Sequence, residues 1–408
     1  MKIDPAKHAW MTATETRKLM AALGEARFVG GAVRNALANW AVQDVDIAVP
    51  VGPEETMRRL DAAAIKAVPT GLAHGTITAI VNGRPFEVTS LRSDVETDGR
   101  HAVVAFTDDW EEDSARRDFT MNALYAAADG EIFDYHGGVQ DLIAGRVRFV
   151  GDAASRIRED YLRILRLFRF HAWYGKGDMD AEALRAAADA KAGLGRLSGE
   201  RIAKEMLRLL ECTNPVPSLR MMAASGVLPE LLPYALQMPR LENLVLLDAE
   251  NDFPPDAILR LAALLPDDAA GAAAVGERLK LSGAERARLE ALSAAGEKIA
   301  AHLSAGDVRR LLYRIGVPRF RDRVLLSWAA CPRGAAAIQW RMLLSIADSW
   351  ERPRFPLTGR EAMAAGVKEG PEVGRVLAAV EAWWLNEDFL PDEAALMEKL
   401  KSVIGSPA

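Results

Sequence analysis

The sequence predicts a small mixed β-sheet with helices at the N-terminus, an α/β arrangement, followed by an all-α remainder. Three observations predict it. Short β-rich runs, two of which flank Asn82-Gly83, lie within the first 150 residues. Half of the residues are apolar, only 7% are aromatic, and Ala and Leu are used heavily, which favours helices. Beyond residue 200, amphipathic helical patterns separated by prolines continue to the C-terminus.

Composition excludes several classes of protein. A chain of 408 residues is long enough for two to four domains. The net charge of −6 argues against a protein covered in nucleic-acid contacts, although a local basic track stays possible. Cys212 and Cys331 provide neither a disulfide framework nor a metal-ligand spacing. The N-terminus lacks an apolar signal core and no run of 18 apolar residues occurs, so we expect a cytoplasmic protein without membrane contact.

The first predicted strand covers residues 27–29 and ends at Gly30-Gly31, and a helix is predicted over residues 32–40. A Gly-Gly turn lets backbone amides approach a ligand closely, because no Cβ stands in the way. The N-terminus of the following helix favours a phosphate, and Arg34 is placed to add a charge-assisted contact. The stretch predicts a phosphate site.

Two carboxylates lie at the start of the second predicted strand, over residues 45–49. Residues i and i+2 of a strand share a face, so Asp44 and Asp46 are expected to project together. Paired carboxylates repel each other and require a cation, and hard oxygen ligands suit Mg²⁺. Together with the glycine turn one helix earlier, the pair indicates nucleotidyl transfer.

The strongest local signal is a hairpin, with strands over residues 76–81 and 84–89 joined by Asn82-Gly83. A two-residue turn places Thr78 opposite Glu87, on a polar strand face. Glu87 is therefore a candidate third carboxylate, and an ordinary solvent-facing glutamate is the alternative.

Three further features surround this hairpin. A helix is predicted over residues 53–66, with acidic residues in its first turn. Pro85 cannot donate to a ladder, which predicts a sheet edge on one side of its strand. Residues 93–112 lack periodicity and are charged, so we expect a functional or disordered loop there.

The string Arg116–Asn122 combines apolar anchors with donors suited to phosphate and ribose groups. Phe119 and Met121 are expected to anchor it, and its polar residues are expected to face outward. An ordinary ion-pair patch is the alternative. The outward candidates are Arg117, Asp118 and Asn122.

A helix is predicted over residues 158–170, where Asp160 and Arg163 at i,i+3 would share a face, as would Glu159 and Arg163 at i,i+4. Intrahelical ion pairing is the common meaning of such spacing. Alternatively, Asp160 and Arg163 present an acceptor and donors to a base edge, so that a mispaired base leaves groups unsatisfied.

Five stretches in order resemble the motifs of the superfamily that holds class II tRNA nucleotidyltransferases (CCA-adding enzymes) and bacterial poly(A) polymerases. The chain departs from the first motif in one place, because Asn35 stands where an aspartate is usual. A glycine-rich stretch resembles a hinge, and Glu159 to Arg163 resembles the base-selecting motif. Residues 98–101 resemble the middle of the family's flexible loop. The matching stretches are 28–46, 116–122, 132–151, 159–163 and 197–205.

This resemblance implies a catalytic head over residues 1–150, a nucleotide-selecting helical neck over 151–240, and a helical body and tail binding tRNA over 241–408. It implies that Asp44 and Asp46 hold two Mg²⁺ ions and that Glu87 is a catalytic carboxylate. The implied nucleotide-binding residues are Gly30, Gly31, Arg34, Arg117, Asp118, Asn122, Asp160, Arg163 and Arg166.

The implied activity is template-independent addition of CMP and AMP to the tRNA 3′ end from CTP and ATP, with release of pyrophosphate. The alternatives are a poly(A) polymerase, an enzyme that adds only the terminal adenosine, and a catalytically silent RNA- or nucleotide-binding relative. The C-terminus carries no long basic tail to hold generic RNA, which argues against the first alternative. The sequence does not indicate an oligomeric state.

Overall fold

The structure is a computed structural model, and it describes residues 1–98, 101–294, 296 and 299–404. Packing divides the chain into two compact units, one of residues Met1–Tyr234 with Val275–Ser282 and one of residues Ala235–Ala274 with Gly283–Ala408. The predicted division at residues 150 and 240 stays a prediction. Among the described helices, none combines the length and the apolar character that a membrane span requires.

The strands of the described residues all lie in the first unit. They are β1 (Arg27–Val29), β2 (Asp46–Val49), β3 (Lys66–Gly71), β4 (Thr76–Val81), β5 (Arg84–Ser90), β6 (Arg92–Asp98), β7 (His101–Phe106), β8 (Leu124–Ala126) and β9 (Ile132–Asp134). Seven of them form one sheet in the order β3-β4-β5-β2-β1-β8-β9, and β6 pairs with β7. Strands β2 and β5 run parallel, whereas β1 pairs antiparallel with both β2 and β8, so the predicted mixed sheet is confirmed.

Helices flank the sheet, and the described part of the chain beyond the sheet is mainly helical. The earlier ones are α1 (Ala9–Thr12), α2 (Thr14–Leu23), α3 (Gly31–Leu37), α4 (Pro53–Ala62), α5 (Trp110–Ala115), α6 (Gly138–Ala144), α7 (Ala153–Glu159), α8 (Leu162–Tyr174), α9 (Ala181–Asp189), α10 (Gly199–Leu210), α11 (Val216–Ala224) and α12 (Val227–Leu231). The later ones are α13 (Met238–Glu250), α14 (Ala257–Leu264), α15 (Ala269–Arg278), α16 (Gly283–Ser293), α17 (Ala305–Ile315), α18 (Val317–Ala329), α19 (Ala337–Ser349), α20 (Gly359–Ala364), α21 (Pro371–Asn386) and α22 (Glu393–Ile404).

The predicted hairpin has the predicted register, with Thr78 opposite Glu87 across β4 and β5. Its turn residues, Asn82 and Gly83, have φ angles of 51° and 81°, as a two-residue turn between twisted strands requires. Strand β2 pairs with β5 only from Glu87 onward. Pro85 precedes the residues of β5 that pair with β2. The expected sheet edge is therefore limited to the first residues of β5, and the rest of that strand is internal to the sheet.

Four local expectations were wrong. The helix predicted over residues 32–40 ends at Leu37, and the one predicted over 53–66 ends at Ala62, because β3 follows it. The charged stretch from residue 92 pairs as β6 and β7, since antiparallel backbone pairing needs no apolar periodicity. Of the residues expected at the centre of the loop there, 98–101, residues 99 and 100 lie outside the described residues. The helix predicted over 158–170 is interrupted between α7 and α8.

Asp160 explains that interruption. Its backbone is extended, with φ −153° and ψ 108°, so it cannot continue α7. Its Oδ1 accepts a hydrogen bond of 3.0 Å from the Leu162 backbone amide, which satisfies a donor at the start of α8. Asp160 and Arg163 are therefore not neighbours on one continuous helix.

Candidate active site

The turn after β1 has the geometry that only glycine adopts easily. Gly30 has φ 63° and ψ −116°, and its amide donates to the Leu124 carbonyl over 3.0 Å. A Cβ built on Gly30 would lie 3.7 Å from Arg117 Nη1. The predicted glycine turn is therefore confirmed, and a guanidinium group lies close beside it.

The three predicted carboxylates lie near one another at the start of β2. Parallel pairing of β2 with β5 places Glu87 directly beside Asp46, and Asp44 lies two residues before Asp46. Burial raises the pKa of Asp46 to about 6, with Glu87 and Asp44 adding to the effect and Arg117 opposing it. The surroundings of Asp46 therefore disfavour the ionised form of its carboxyl group.

A cation fits this position, because it would relieve the repulsion and every ligand atom offered is oxygen. The described residues contain no group of three or more His, Cys, Asp or Glu side chains spaced to hold one metal ion. Magnesium sites in phosphate-transfer enzymes commonly use one or two carboxylates and complete their shell with water and substrate phosphates. The Asp44 and Asp46 pair matches that pattern.

Asp44 and Asp46 line a cavity of about 720 Å³ between the start of β2 and the helices α8 and α10. Gly31 and Arg34 also line it, as does Arg166. The remaining lining residues are Asn35, Trp40, Ala41, Gln43, Arg169, Phe170, Trp173, Tyr174, Lys204, Glu205 and Arg208. Glu87 and the predicted residues Arg117, Asp118, Asn122, Asp160 and Arg163 lie outside this lining.

Arg34 is only 9% exposed, and its hydrogen bonds within the described residues go to neutral groups. Its guanidinium donates to Asn122 Oδ1 and to Asn35 Oδ1, the latter at 2.9 Å from Nη2, and lies 4.4 Å from the Tyr174 ring centroid. Burial lowers the pKa of Arg34. A buried cation with neutral partners is suited to an anionic ligand such as a phosphate. Asn35, the departure from the family motif, helps to hold it.

Arg117 does not face outward as expected. Its Nη2 lies 2.9 Å from Asp113 Oδ2, and its Nε donates to the Tyr125 hydroxyl over 3.2 Å. Burial would raise the pKa of Asp113, but Arg117, Arg116 and Tyr125 outweigh it and lower that pKa to about 2. This buried network holds Arg117 beside the Gly30 turn.

Asp118 and Asn122 also face inward rather than outward. Asn122 Nδ2 donates to Asp118 Oδ1 over 3.0 Å, and Asp118 Oδ2 accepts from Arg166 Nε over 2.7 Å. Burial would raise the pKa of Asp118, but Arg166 leads the interactions that lower it. The expectation failed because these polar groups satisfy one another. They thereby fix Arg166 in the cavity wall.

Asp160 and Arg163 have separate partners. Arg201 Nη2, on α10, donates to Asp160 Oδ2 over 2.7 Å. Arg163 Nη1 donates to the Arg156 carbonyl over 2.9 Å and pairs with Glu159 at i,i+4. Asp160 and Arg163 do not pair with each other, whereas the expected ion pair of Glu159 with Arg163 is present. The reading of a base edge by Asp160 and Arg163 stays a prediction.

Sequence reasoning missed part of the cavity wall. The missed aromatic and cationic residues include Trp40, Arg169, Trp173, Tyr174, Lys204 and Arg208. The helical spacing could have indicated most of them. Residues three, four and seven positions after Arg166 lie on the same face of α8, and these are Arg169, Phe170 and Trp173. Lys204 and Arg208 follow the i,i+4 rule on α10.

Comparison with known proteins decides the family. A mitochondrial CCA tRNA nucleotidyltransferase 1 of Mus musculus is 35% identical over 392 residues, which cover 92% of this chain and 86% of that protein. The chain belongs to the CCA tRNA nucleotidyltransferase family. In this member of the family, residues 26–148 match the poly A polymerase head domain. Residues 178–238 match the probable RNA and SrmB-binding site of polymerase A.

Two further relatives agree with this assignment. A CCA-adding enzyme of Latilactobacillus sakei is 29% identical over 380 residues, covering 92% of this chain and 94% of that protein. The crystal structure of Bacillus stearothermophilus CCA-adding enzyme in complex with CTP has a TM-score of 0.71 and 26% identity, covering 95% and 97% of the two chains. The predicted α/β head with an all-helical remainder is confirmed.

Proposed function

We propose that this protein adds CMP and AMP to the tRNA 3′ end from CTP and ATP, without a nucleic-acid template and with release of pyrophosphate. The observation that carries the proposal is the Asp44/Asp46 pair in a cavity whose other charged groups are mostly cationic. The names of the relatives, CCA tRNA nucleotidyltransferase and CCA-adding enzyme, support the choice of substrate. Localisation in the cytoplasm stays a prediction, since the Mus musculus relative is mitochondrial by name.

The residues of the cavity and of the adjoining glycine turn bind and orient the reactants. Gly30 and Gly31 let the triphosphate approach the backbone, and Arg34 and Arg117 supply positive charge beside that turn. Catalysis is then chiefly positioning for in-line displacement and neutralisation of charge on the departing pyrophosphate. The charge of Glu87 raises the pKa of the Asp46 carboxyl group, and a cation bound at Asp46 would offset this repulsion.

Magnesium is the cofactor proposed for this site, held by Asp44 and Asp46. When bound, Mg²⁺ supplies Lewis-acid activation of the attacking hydroxyl and stabilises the leaving group. The two carboxylates provide hard oxygen ligands and are fixed by the β2 backbone and the segment just before it.

The test uses tRNA that lacks its 3′ end, incubated with CTP, ATP or both, followed by sequencing of the products. We expect two cytidines and one adenosine when both nucleotides are present, and addition stops after the cytidines with CTP alone. Long adenosine tails would instead identify a poly(A) polymerase. Addition of adenosine only to cytidine-ended tRNA would identify the restricted enzyme, and no Mg²⁺-dependent incorporation at all would identify the silent relative.

Base selection is tested at Arg163. If Arg163 reads a base edge, Arg163→Ala removes donors that a correct base satisfies, and discrimination against UTP and GTP falls by roughly one to two orders of magnitude. The measurement is kcat/KM for all four nucleotides on cytidine-ended tRNA. Arg158→Ala is the matched control, since Arg158 is an exposed arginine on α7. Unchanged ratios among the four nucleotides in Arg163→Ala would assign Arg163 a structural role through Glu159.

A further inference from the structure

Two cavities of the first unit share an aromatic wall. The cavity of Asp44 and Asp46, of about 720 Å³, and a neighbouring cavity of about 740 Å³ are both lined by Trp40 and Trp173. Each volume lies in the range of sites that bind a small ligand such as one nucleotide. The second cavity has no role in the chemistry described above.

Trp40 is unusual because it is large, aromatic and 40% exposed. Its ring stacks on Tyr174 at a centroid distance of 4.7 Å and meets Trp173 edge-on at 5.9 Å. Its amide donates to the Asn35 carbonyl over 2.8 Å, which fixes the backbone. Core packing does not account for an indole with so much free surface at the rim of a cavity.

The rings beneath Trp40 are held rigidly. The Tyr174 hydroxyl donates to Asn35 Oδ1 over 3.0 Å, and Arg34 lies 4.4 Å from the centre of the Tyr174 ring. Trp173 Nε1 donates to the Arg208 carbonyl over 2.7 Å. These contacts fix the positions of the three rings. We call the surface formed by Trp40, Trp173 and Tyr174 the aromatic ledge.

The charge around the aromatic ledge suits a polyanion. Lys204 and Arg208 are exposed on α10 and line the first cavity together with Arg169. The lining of the second cavity is mixed apolar and polar, and it contains the carboxylate Asp178 but no lysine or arginine, so the cations lie on the side of the first cavity. Aromatic rings next to a cationic surface bind single-stranded nucleic acid, because every base has a face that can stack and the cations follow the phosphates.

We infer that the aromatic ledge binds the 3′ end of the acceptor RNA, with the terminal base stacked on Trp40. This inference rests on the proposed function, because nucleotidyl transfer needs two occupants at once, an incoming nucleotide and an RNA end. The cavity with the carboxylate pair takes the nucleotide. The ledge shared with the neighbouring cavity then marks the place of the RNA end.

The test compares Trp40→Ala, Trp40→Leu and Trp40→Phe on an acceptor-stem hairpin RNA with a single-stranded 3′ end. Stacking on one aromatic ring predicts a rise in the KM for RNA of about five- to a hundred-fold in Trp40→Ala and Trp40→Leu. Trp40→Phe keeps a ring and recovers most of the affinity. The KM for CTP and the kcat at saturating RNA stay within about twofold, and melting temperatures verify folding. Ile338→Ala, at an exposed apolar residue of α19, is the control.

A spectroscopic measurement separates this inference from the proposed function. A 2-aminopurine placed at the 3′ end of the hairpin should lose fluorescence on binding the wild type and regain it in Trp40→Ala. If the wild type does not incorporate nucleotide, the proposed function is overturned. Loss of 2-aminopurine fluorescence on binding would still show that the 3′ end of the RNA stacks on the aromatic ledge. Incorporation with unchanged KM for RNA in Trp40→Ala overturns the ledge alone. A rise in the KM for CTP that exceeds the rise for RNA also overturns it, because Trp40 would then stack the incoming base.

Discussion

Replacing Asp46 with asparagine is expected to lower the rate of nucleotide addition by about three orders of magnitude, because a Lewis acid contributes several kcal/mol to the transition state. The new side chain is close in size to the old one but supplies a weaker, neutral ligand. The measurement is single-turnover incorporation of labelled CMP at saturating Mg²⁺. Activity within tenfold of the wild type, with an unchanged circular dichroism spectrum, would disprove the metal assignment.

The same variant has a second readout that does not depend on activity. The pKa of Asp46 is raised to about 6 by burial and by the neighbouring Glu87 and Asp44, so the ionised carboxylate destabilises the metal-free protein at neutral pH. Asp46→Asn should therefore melt at a higher temperature than the wild type in EDTA. Mg²⁺ should raise the melting temperature of the wild type more than that of the variant. Asp61→Asn, at an exposed residue of α4, should match the wild type in both comparisons.

Local chemistry explains which parts of the fold and site the sequence could predict. The Asn82-Gly83 turn sets the register of β4 and β5, and that register placed Glu87 on the correct face. The glycine turn at Gly30 and the strand after Asp44 could be predicted for the same reason. Both depend on residues only a few positions apart, because a positive φ angle favours glycine and a strand alternates its side chains between two faces.

Long-range contacts explain what the sequence could not predict. Arg117, Asp118 and Asn122 were expected at the surface, yet their partners Asp113, Tyr125 and Arg166 satisfy them inside the fold. Asp113 is four residues from Arg117, but its effect depends on burial that only the packed sheet creates.

Trp40 and Trp173 were missed for a comparable reason. They are 133 residues apart in sequence and become neighbours only when α8 packs beside the segment that follows α3. No window of helical or strand periodicity spans such a distance. The partner of Asp160, which is Arg201, likewise becomes its neighbour only when α10 is in place.

Asp113→Ala is expected to destabilise the first unit by about 3–5 kcal/mol, which is the usual cost of removing one partner of a buried charge cluster. Asp113 is 1% exposed and lies 2.6 Å from Arg116 Nη2 and 2.9 Å from Arg117 Nη2, so its loss leaves two guanidinium groups without their carboxylate. Urea unfolding followed by circular dichroism measures the change. Tyr125→Phe is the matched control, because it removes only a neutral hydroxyl, which donates to Asp113 and accepts from Arg117, and it should cost about 1 kcal/mol.

The pH dependence of the Asp113→Asn variant tests whether charge is the cause. The folded pKa of Asp113, about 2, lies below its ordinary value of 3.8, so the charge stabilises the fold fully above about pH 4 and less as the pH falls toward 2. The amide introduced by this substitution does not titrate. The stability advantage of the wild type over this variant should therefore shrink by roughly 1 kcal/mol between pH 6 and pH 3. An advantage that stays constant over that interval would mean that Asp113 acts through shape and neutral hydrogen bonds, and not through its charge on Arg116 and Arg117.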